Sequence, residues 1–268
     1  MEIKRKYELL KQALKELKSV AVAFSGGVDS TFLLKTAKEV LGDNAVAVTV
    51  KSCLITESEL SGTYDFCNSE KIRQIICEIN PLAITGFTEN PPDRCYICKK
   101  EIFKNIKEIS AKYGIQTVAD GSNADDAGDY RPGMRAMEEL SIISPLKTVG
   151  FTKKEIREAS KALGLKTYNK PSLACLASRF PYGEQISEKK LKMVEQSEKY
   201  LFSLGFNQLR VRIHTNTARI EVLPQDMEKL IENRLNIYQK LRELGFCYIA
   251  MDLMGYRTGS MNEILLNE

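Results

Sequence analysis

A short apolar run, two glycines and a helix-compatible stretch follow one another without spacing in residues 20–37, and that junction limits what the chain can become. Val20-Ala21-Val22-Ala23-Phe24 reads as a buried strand, and Phe32, Leu33, Leu34 and Ala37 fall on one side of a helix that opens after Asp29. Between them stands Ser25-Gly26-Gly27-Val28-Asp29-Ser30. A helix N-terminus carries unpaired N–H groups and a partial positive charge, so a turn of this kind can hold an anion. Gly26 and Gly27 let the backbone approach a ligand where a Cβ would obstruct it. Ser25 and Ser30 add hydroxyl donors, and Asp29 can cap the helix or hold a metal ion that bridges phosphates. An ordinary βα turn draws on the same residue types, so the hexapeptide alone leaves both readings open. It is not the G-x-x-x-x-G-K-[ST] phosphate loop, because no lysine stands where that loop needs one.

The surrounding chain extends the alternation. Leu9, Leu10, Ala13, Leu14 and Leu17 predict a helix before the first strand, and Gly42-Asp43-Asn44 stops the helix after it. Ala45-Val46-Ala47-Val48-Thr49-Val50 is a continuous apolar run, as a strand buried on both faces of a parallel sheet requires. A helix at 57–70, strands at 72–79 and 115–120, and helices at 131–140 and 152–163 follow, the last opened by the capping box Thr152 and Glu155. The fold expected is a doubly wound parallel α/β sheet whose ligand lies at the carboxyl ends of the strands. Gly121-Ser122-Asn123-Ala124-Asp125-Asp126 directly follows the fourth strand, which puts Gly121 and Asp125 at that edge. The same run also suits a polar turn with helix-capping side chains.

The loop Asn169–Pro181 breaks the periodicity, and the domain boundary is expected just after it, giving residues 1–183 and a smaller α+β domain at 184–268. There a helix at 188–204 precedes Leu209–His214 and Ala218–Val222, two alternating runs around Thr215-Asn216-Thr217 that predict a hairpin. Helical patterns at 225–244 and a strand at 247–253 close the chain. In the first hairpin strand Arg210, Arg212 and His214 alternate with Val211 and Ile213, so the charged residues are expected on an exposed face together with Arg219 and Glu221. Guanidinium forks there can bind phosphate or carboxylate.

Composition restricts the function classes. No apolar stretch approaches the roughly 20 residues of a membrane helix, and the start is amphipathic and unlike a signal peptide, which predicts a cytoplasmic protein. The net charge of +4 allows an anionic small molecule and is low for a nucleic-acid-binding chain. Seven cysteines and a single histidine, His214, make any metal site depend on thiols and carboxylates. Cys53, Cys67 and Cys77 suit small buried positions. Cys95-Tyr96-Ile97-Cys98, delivered to a helix start by the loop at 86–94, is a C-x-x-C pair open to redox, zinc or iron–sulfur chemistry. With Cys175 the count reaches three thiolates, the number that lets a [4Fe–4S] cluster keep one iron open.

The hexapeptide Ser25–Ser30 resembles the S-G-G-x-D-S pyrophosphate loop (PP-loop) of the ATP pyrophosphatases, matching at Ser25, Gly26, Gly27, Asp29 and Ser30. The segment Pro171-Ser172-x-Ala174-Cys175-x-Ala177-Ser178-Arg179 resembles the one that carries the sulfur-donating cysteine of the LarE family. Those are ATP-dependent sulfur transferases of nickel-pincer nucleotide cofactor biosynthesis, and the resemblance runs through Arg-Val-Arg and Ala-Arg-Ile-Glu near the C-terminus. It implies ATP and Mg²⁺, the latter on Asp29, as ligands. It also implies AMP-forming activation of a carboxylate on a pyridinium dicarboxylate mononucleotide, with Arg179 and Lys99 as cations that offset phosphate charge. The anionic substrate is then held by Arg210, Arg212 and Glu221, and the assembly is a trimer or hexamer formed through the small domain. Cys95 and Cys98 set the chain apart from the sacrificial one-cysteine branch and resemble the three-cysteine branch, where a [4Fe–4S] cluster relays sulfide from a separate donor. A tRNA thiolase of the PP-loop and [4Fe–4S] type is the alternative.

Overall fold

The computed structural model describes residues 2–128, 132–171, 174–257 and 259–266. Two compact units emerge, one formed by 1–81 with 93–173 and the other by 82–92 with 174–268. The chain passes from one to the other between Leu173 and Ala174, ahead of the 183/184 boundary expected from the sequence.

The first unit contains, in chain order, α1 (Glu2–Glu16), β1 (Val20–Ala23), α2 (Val28–Leu41), β2 (Ala45–Lys51), α3 (Glu57–Ser69), β3 (Gln74–Glu78), α4 (Arg94–Lys112), β4 (Val118–Ala119), α5 (Gly133–Glu139), α6 (Pro145–Thr148) and α7 (Lys153–Ala162). The strands form one parallel sheet in the order β3-β2-β1-β4. Successive strand side chains point to opposite faces, and here both faces are apolar. Val20, Val22, Ala45 and Ala47 pack into a core with Leu10, Leu14, Phe32, Leu33, Phe151 and Ile156. Ala21, Val46 and Val48 pack into the opposite one with Ile75, Cys77, Phe103, Ile106 and Met137. The doubly wound sheet predicted from the sequence is therefore present, with helices α1, α2 and α7 on one side and α4 and α5 on the other.

The third and fourth strands are shorter than the 72–79 and 115–120 expected. The fourth spans only Val118–Ala119, because beyond its two-residue pairing with β1 its neighbour is a single bridge from Ala119 to Ile143. The helix expected at 131–140 is seen as Gly133–Glu139, and Arg131 lies outside the described residues. At Thr56 and Thr152 the hydroxyls accept from the N–H groups of Glu59 and Glu155, whose carboxylates accept from the cap N–H groups in return. These reciprocal boxes start α3 and α7. Cys67 and Cys77 are buried, as expected of core thiols, and burial pushes the Cys67 thiol up to about 12.

In the second unit lie α8 (Glu188–Ser203), β5 (Leu209–His214), β6 (Thr217–Val222), α9 (Met227–Glu232), α10 (Arg234–Glu243) and β7 (Tyr248–Met251). Its sheet has the order β5-β6-β7, with β5 and β6 antiparallel as the hairpin pattern predicts and β7 added parallel to β6. The loop 82–92 belongs to this unit through Asn90, which is fully buried. Asn90 donates from Nδ2 to the carbonyl oxygens of Phe180 and Pro181, at 3.2 and 2.5 Å, and its carbonyl accepts from Gly183 N–H at 2.9 Å.

Phe32 is fully buried, with ring centroids 5.4 Å from Phe151 and 5.8 Å from Tyr7. Phe32→Ala is expected to destabilise the protein by about 3–5 kcal/mol through the cavity it leaves, to be measured by urea unfolding.

Candidate active site

At the centre of the first unit's sheet the strand order reverses between β1 and β4, and the crevice outside their carboxyl ends is where an open α/β sheet binds its ligand. Both edges of this crevice are glycine. At Gly26 φ is +69°, a conformation that disfavours a side chain, and an added Cβ would come within 3.0 Å of Thr63 Cγ2. At Gly121 a Cβ would lie 2.9 Å from the Ser30 nitrogen, so β4 can approach the first turn of α2 only without a side chain there.

The loop is held in shape by its hydroxyls. Ser25 and Ser30 have their Oγ atoms 3.1 Å apart, Ser30 Oγ and Thr31 Oγ1 donate to the Gly27 carbonyl at 3.3 and 2.7 Å, and the N–H of Ser25 donates to Ser30 Oγ at 3.3 Å. Gly27 is the N-cap of α2 and carries no side-chain cap. Asp29 stands inside the helix, past the capping position, which removes the first of its two expected roles. Its Oδ2 pairs with the Lys153 ammonium, and its Oδ1 is buried with no hydrogen-bond partner. Burial pushes the Asp29 carboxyl above the ordinary carboxylate range, although the Lys153 ammonium pulls it back. An orphaned buried carboxylate oxygen beside an anion-binding turn fits a divalent cation.

After β4 the acidic residues are tied to the scaffold. Asp120 accepts from Ser122 and Ser144, each at 2.5 Å, and Asn123 Oδ1 accepts from Asp125 N–H at 3.0 Å. Asp125 Oδ2 in turn accepts from the Lys153 N–H at 2.8 Å, so the polar-turn reading of this run and its place at the crevice hold together. Two lysines missed by pattern reasoning reach the loop: Lys153, and Lys170, whose Nζ donates to the Gly26 carbonyl at 2.9 Å. Burial lowers the Lys170 ammonium below its ordinary range. Arg157 holds the chain before it through the carbonyls of Tyr168 and Lys170, at 2.6 and 2.8 Å. No short-range signal could have found contacts spanning more than a hundred residues.

Cys95 and Cys98, three residues apart in the first turns of α4, share one face of the helix and are half-buried. Arg94, almost fully buried, places Nη2 3.9 Å from Cys95 Sγ. The Lys99 ammonium lies 4.0 Å from Met137 Sδ, and its stem occupies the space that a side chain on Gly133 would need. Among the described residues, no three His, Cys, Asp or Glu side chains are gathered as a metal site. None of the seven cysteines is in a disulfide. The Cys95 and Cys98 thiols form a helix-borne pair whose chemistry suits a thiolate-bound metal or redox group, and Cys175 is exposed.

In the second unit Cys175 precedes a short 3-10 turn, Leu176–Arg179, while Ser172 and Leu173 of the same segment lie outside the described residues. Arg179 is buried, and Nε and Nη2 grip the two oxygens of Glu198 at 2.9 and 2.8 Å. Its Nη1 donates to the carbonyls of Ala174 and Cys175 at 2.6 and 3.2 Å. Arg179 thus shapes the backbone that presents Cys175. The hairpin corrects one expectation: Arg210, Arg212 and Glu221 are buried, where the alternation predicted a solvated face. The 3-10 turn and the C-terminal segment cover that face. Arg212 forks onto Glu221 at 2.7 and 2.9 Å and also donates to the Ser178 carbonyl and to Ser260 Oγ, both at 2.8 Å. Arg210 donates to the Leu209 carbonyl at 2.6 Å and lies over the Tyr256 ring, and burial, reinforced by the Arg179 charge, lowers its pKa.

A doubly wound sheet with a glycine-serine loop and an unsatisfied aspartate at its reversal point defines an α/β protein of the PP-loop class. In keeping with this, 165 residues are 27% identical to one of the subunits of the glutamine-hydrolysing GMP synthase of Thermoplasma volcanium, covering 56% of this chain and 53% of that one. Over 254 residues the chain is 37% identical to the pyridinium-3,5-bisthiocarboxylic acid mononucleotide synthase of Lactiplantibacillus plantarum, covering 94% of this chain and 92% of the other. An uncharacterised protein of Synechocystis is 40% identical over 98% of this chain and 99% of its own. No protein-family model matches. The chain belongs to the family of that synthase, the LarE family.

Glu198→Gln would leave Arg179 buried with half its partner gone. The expected cost is about 3–5 kcal/mol in urea unfolding, and the double replacement Arg179→Met with Glu198→Leu is expected to cost less.

Proposed function

We propose that this protein inserts sulfur into a pyridinium dicarboxylate mononucleotide in nickel-pincer cofactor biosynthesis, using ATP to activate the carboxylate. The observation that carries this is the extent of the likeness to the pyridinium synthase. It runs over 94% of the chain and so takes in the segment with Cys175 and the hairpin arginines, whereas the likeness to the GMP synthase stops at 56%. An amide-forming PP-loop enzyme would leave the Cys175 loop unexplained.

In this reading Ser25, Gly26, Gly27, Ser30 and Gly121 receive the nucleotide phosphates at the α2 N-terminus, where backbone N–H groups favour anions. Asp29 would hold Mg²⁺, which neutralises charge building on the phosphates. A substrate carboxylate oxygen attacks the α-phosphorus, pyrophosphate leaves, and an acyl adenylate remains. Sulfide then adds to the acyl carbon and AMP departs, giving the thiocarboxylate. Asp125 supports this machinery through the Lys153 N–H, and Lys170, beside the Gly26 carbonyl, together with Lys99 is taken to offset phosphate charge. Arg210, together with the Arg212–Glu221 pair, forms the cationic pocket for the anionic substrate.

Cys95, Cys98 and Cys175 are assigned as ligands of a [4Fe–4S] cluster, which when bound leaves one iron open and supplies sulfur there. Arg179 contributes by fixing the carbonyls of Ala174 and Cys175 just ahead of the 3-10 turn. Water must be kept out, since it would hydrolyse the activated acyl group. Thiol-dependent chemistry of this kind suits a reducing compartment, which supports a cytoplasmic location. No helix among the described residues is long and apolar enough to cross a membrane.

After anaerobic reconstitution with iron and sulfide, the protein is expected to convert the dicarboxylate mononucleotide to a thiocarboxylate in the presence of Mg–ATP. Cys175→Ala should release pyrophosphate and form no thiocarboxylate, read by mass spectrometry. Sulfur transfer surviving in Cys175→Ala overturns the assignment.

We further propose that the homo-oligomer forms through the α10–β7 face of the second unit. An apolar cavity of about 320 Å³ lies there among Leu230, Ile231, Leu235, Tyr238 and Ile249. Leu235 and Tyr248 are 71% and 70% exposed, and β7 is an edge strand. Leu235→Glu is expected to shift the mass measured by light scattering to that of a monomer.

A further inference from the structure

Asp29 has its two carboxylate oxygens in different environments. Oδ2 pairs with the Lys153 ammonium, while Oδ1 is buried with no hydrogen-bond partner. Lys153 is itself anchored. Its N–H donates to Asp125 Oδ2 at 2.8 Å, and the residue before it, Thr152, is the N-cap of α7 within a reciprocal box closed by Glu155. Asp126 adds a second negative charge that acts on Asp29, and it accepts the Asn123 N–H at 2.9 Å. The other nearby ammonium, Lys170, is turned to the Gly26 carbonyl and does not serve Asp29. A buried carboxylate oxygen without a partner, beside an acidic neighbour, calls for a cation at its side. The only ammonium that pairs with Asp29 among the described residues is that of Lys153.

The geometry points to Lys153 as the positioning residue for the divalent cation: its ammonium stands in for the metal on Asp29 until nucleotide arrives, then yields the carboxylate to the Mg²⁺ delivered with it. This rests on the reading of Ser25–Ser30 as the Mg–ATP cradle. An ammonium and a divalent cation on the same carboxylate repel each other at short range, so only one can occupy it fully. Because the lysine backbone is tied to Asp125, its side chain can leave Asp29 while α7 stays in place. In the nucleotide-free protein the lysine should therefore keep Asp29 aimed at the crevice, and it should discriminate against free divalent cations.

The test is Mn²⁺ binding to the full chain without nucleotide, followed by electron paramagnetic resonance, with ATP binding measured in parallel by calorimetry. Lys153→Met is expected to bind Mn²⁺ at least about tenfold more tightly than the wild type, a gain that a purely structural role would not produce. Lys153→Gln should show the same gain, which covers the case in which the methionine variant fails to fold, and Lys153→Arg should stay at the wild-type level. Adding Asp29→Asn to Lys153→Met should abolish the gain. Equal Mn²⁺ affinity in wild type, Lys153→Met and Lys153→Gln overturns the inference, as does a gain that survives Asp29→Asn. A wild type that binds no ATP while Lys153→Met still gains Mn²⁺ would sink the cradle reading and leave the lysine assignment standing.

Discussion

The approach of the β4 carboxyl end to the first turn of α2 sets the terms for everything around the crevice. Gly121 lies so close to the Ser30 nitrogen that a methyl group would collide with it, and this closeness brings the polar run after β4 alongside the phosphate-type loop. Asp125 and Lys153 can then bridge from that run and from α7 to Asp29. Were the two strands a little further apart, Asp29 would face water and its carboxyl would behave as an ordinary surface acid. Instead it is desolvated, half-paired and in need of a cation, the condition in which a carboxylate serves as a metal ligand.

The second unit solves a different problem, again with buried charge. Three guanidinium groups, on Arg179, Arg210 and Arg212, lie out of water beside two carboxylates, Glu198 and Glu221. Two bidentate forks take four of the guanidinium nitrogens, and the carbonyls of Ala174, Cys175 and Ser178 accept from others. Such pairs contribute little net stability compared with a well-packed apolar core, because removing both partners from water offsets their attraction. Their effect is directional. Arg179 and Arg212 hold the backbone just ahead of and within the 3-10 turn that follows Cys175, and the C-terminal segment joins in through Ser260. Three buried arginines against two buried glutamates leave this cluster with an excess of positive charge.

Much of the architecture was legible in the chain. The continuous apolar runs at 20–24 and 45–50 announce strands covered on both faces, and the observed cores divide those residues alternately between the two sides. Ser25–Ser30 could be placed at a strand–helix junction from residue order alone, and Thr152 with Glu155 marked the start of α7. Strand ends were less legible. Ile115–Asp120 is apolar enough for a longer strand, but its length is decided by how much of a neighbour it meets. The hairpin pairing was read correctly, while the burial of its charged face was not, since alternation tells which residues share a face and not what comes to lie on it.

The amino-acid order by itself determined the local chemistry of this protein: which segments are apolar on two faces, where glycine frees the backbone, which thiols stand three apart on a helix. These follow from covalent spacing and short-range sterics, which act within a few residues. Only the tertiary structure decided that Lys153 meets Asp29 across 124 residues of chain, that Lys170 caps the Gly26 carbonyl, and that Arg179 and Arg212 turn inward to glutamates. Contacts of that kind depend on how separate elements pack and on the cost of leaving a buried charge unpaired, and neither leaves a periodic mark in the sequence.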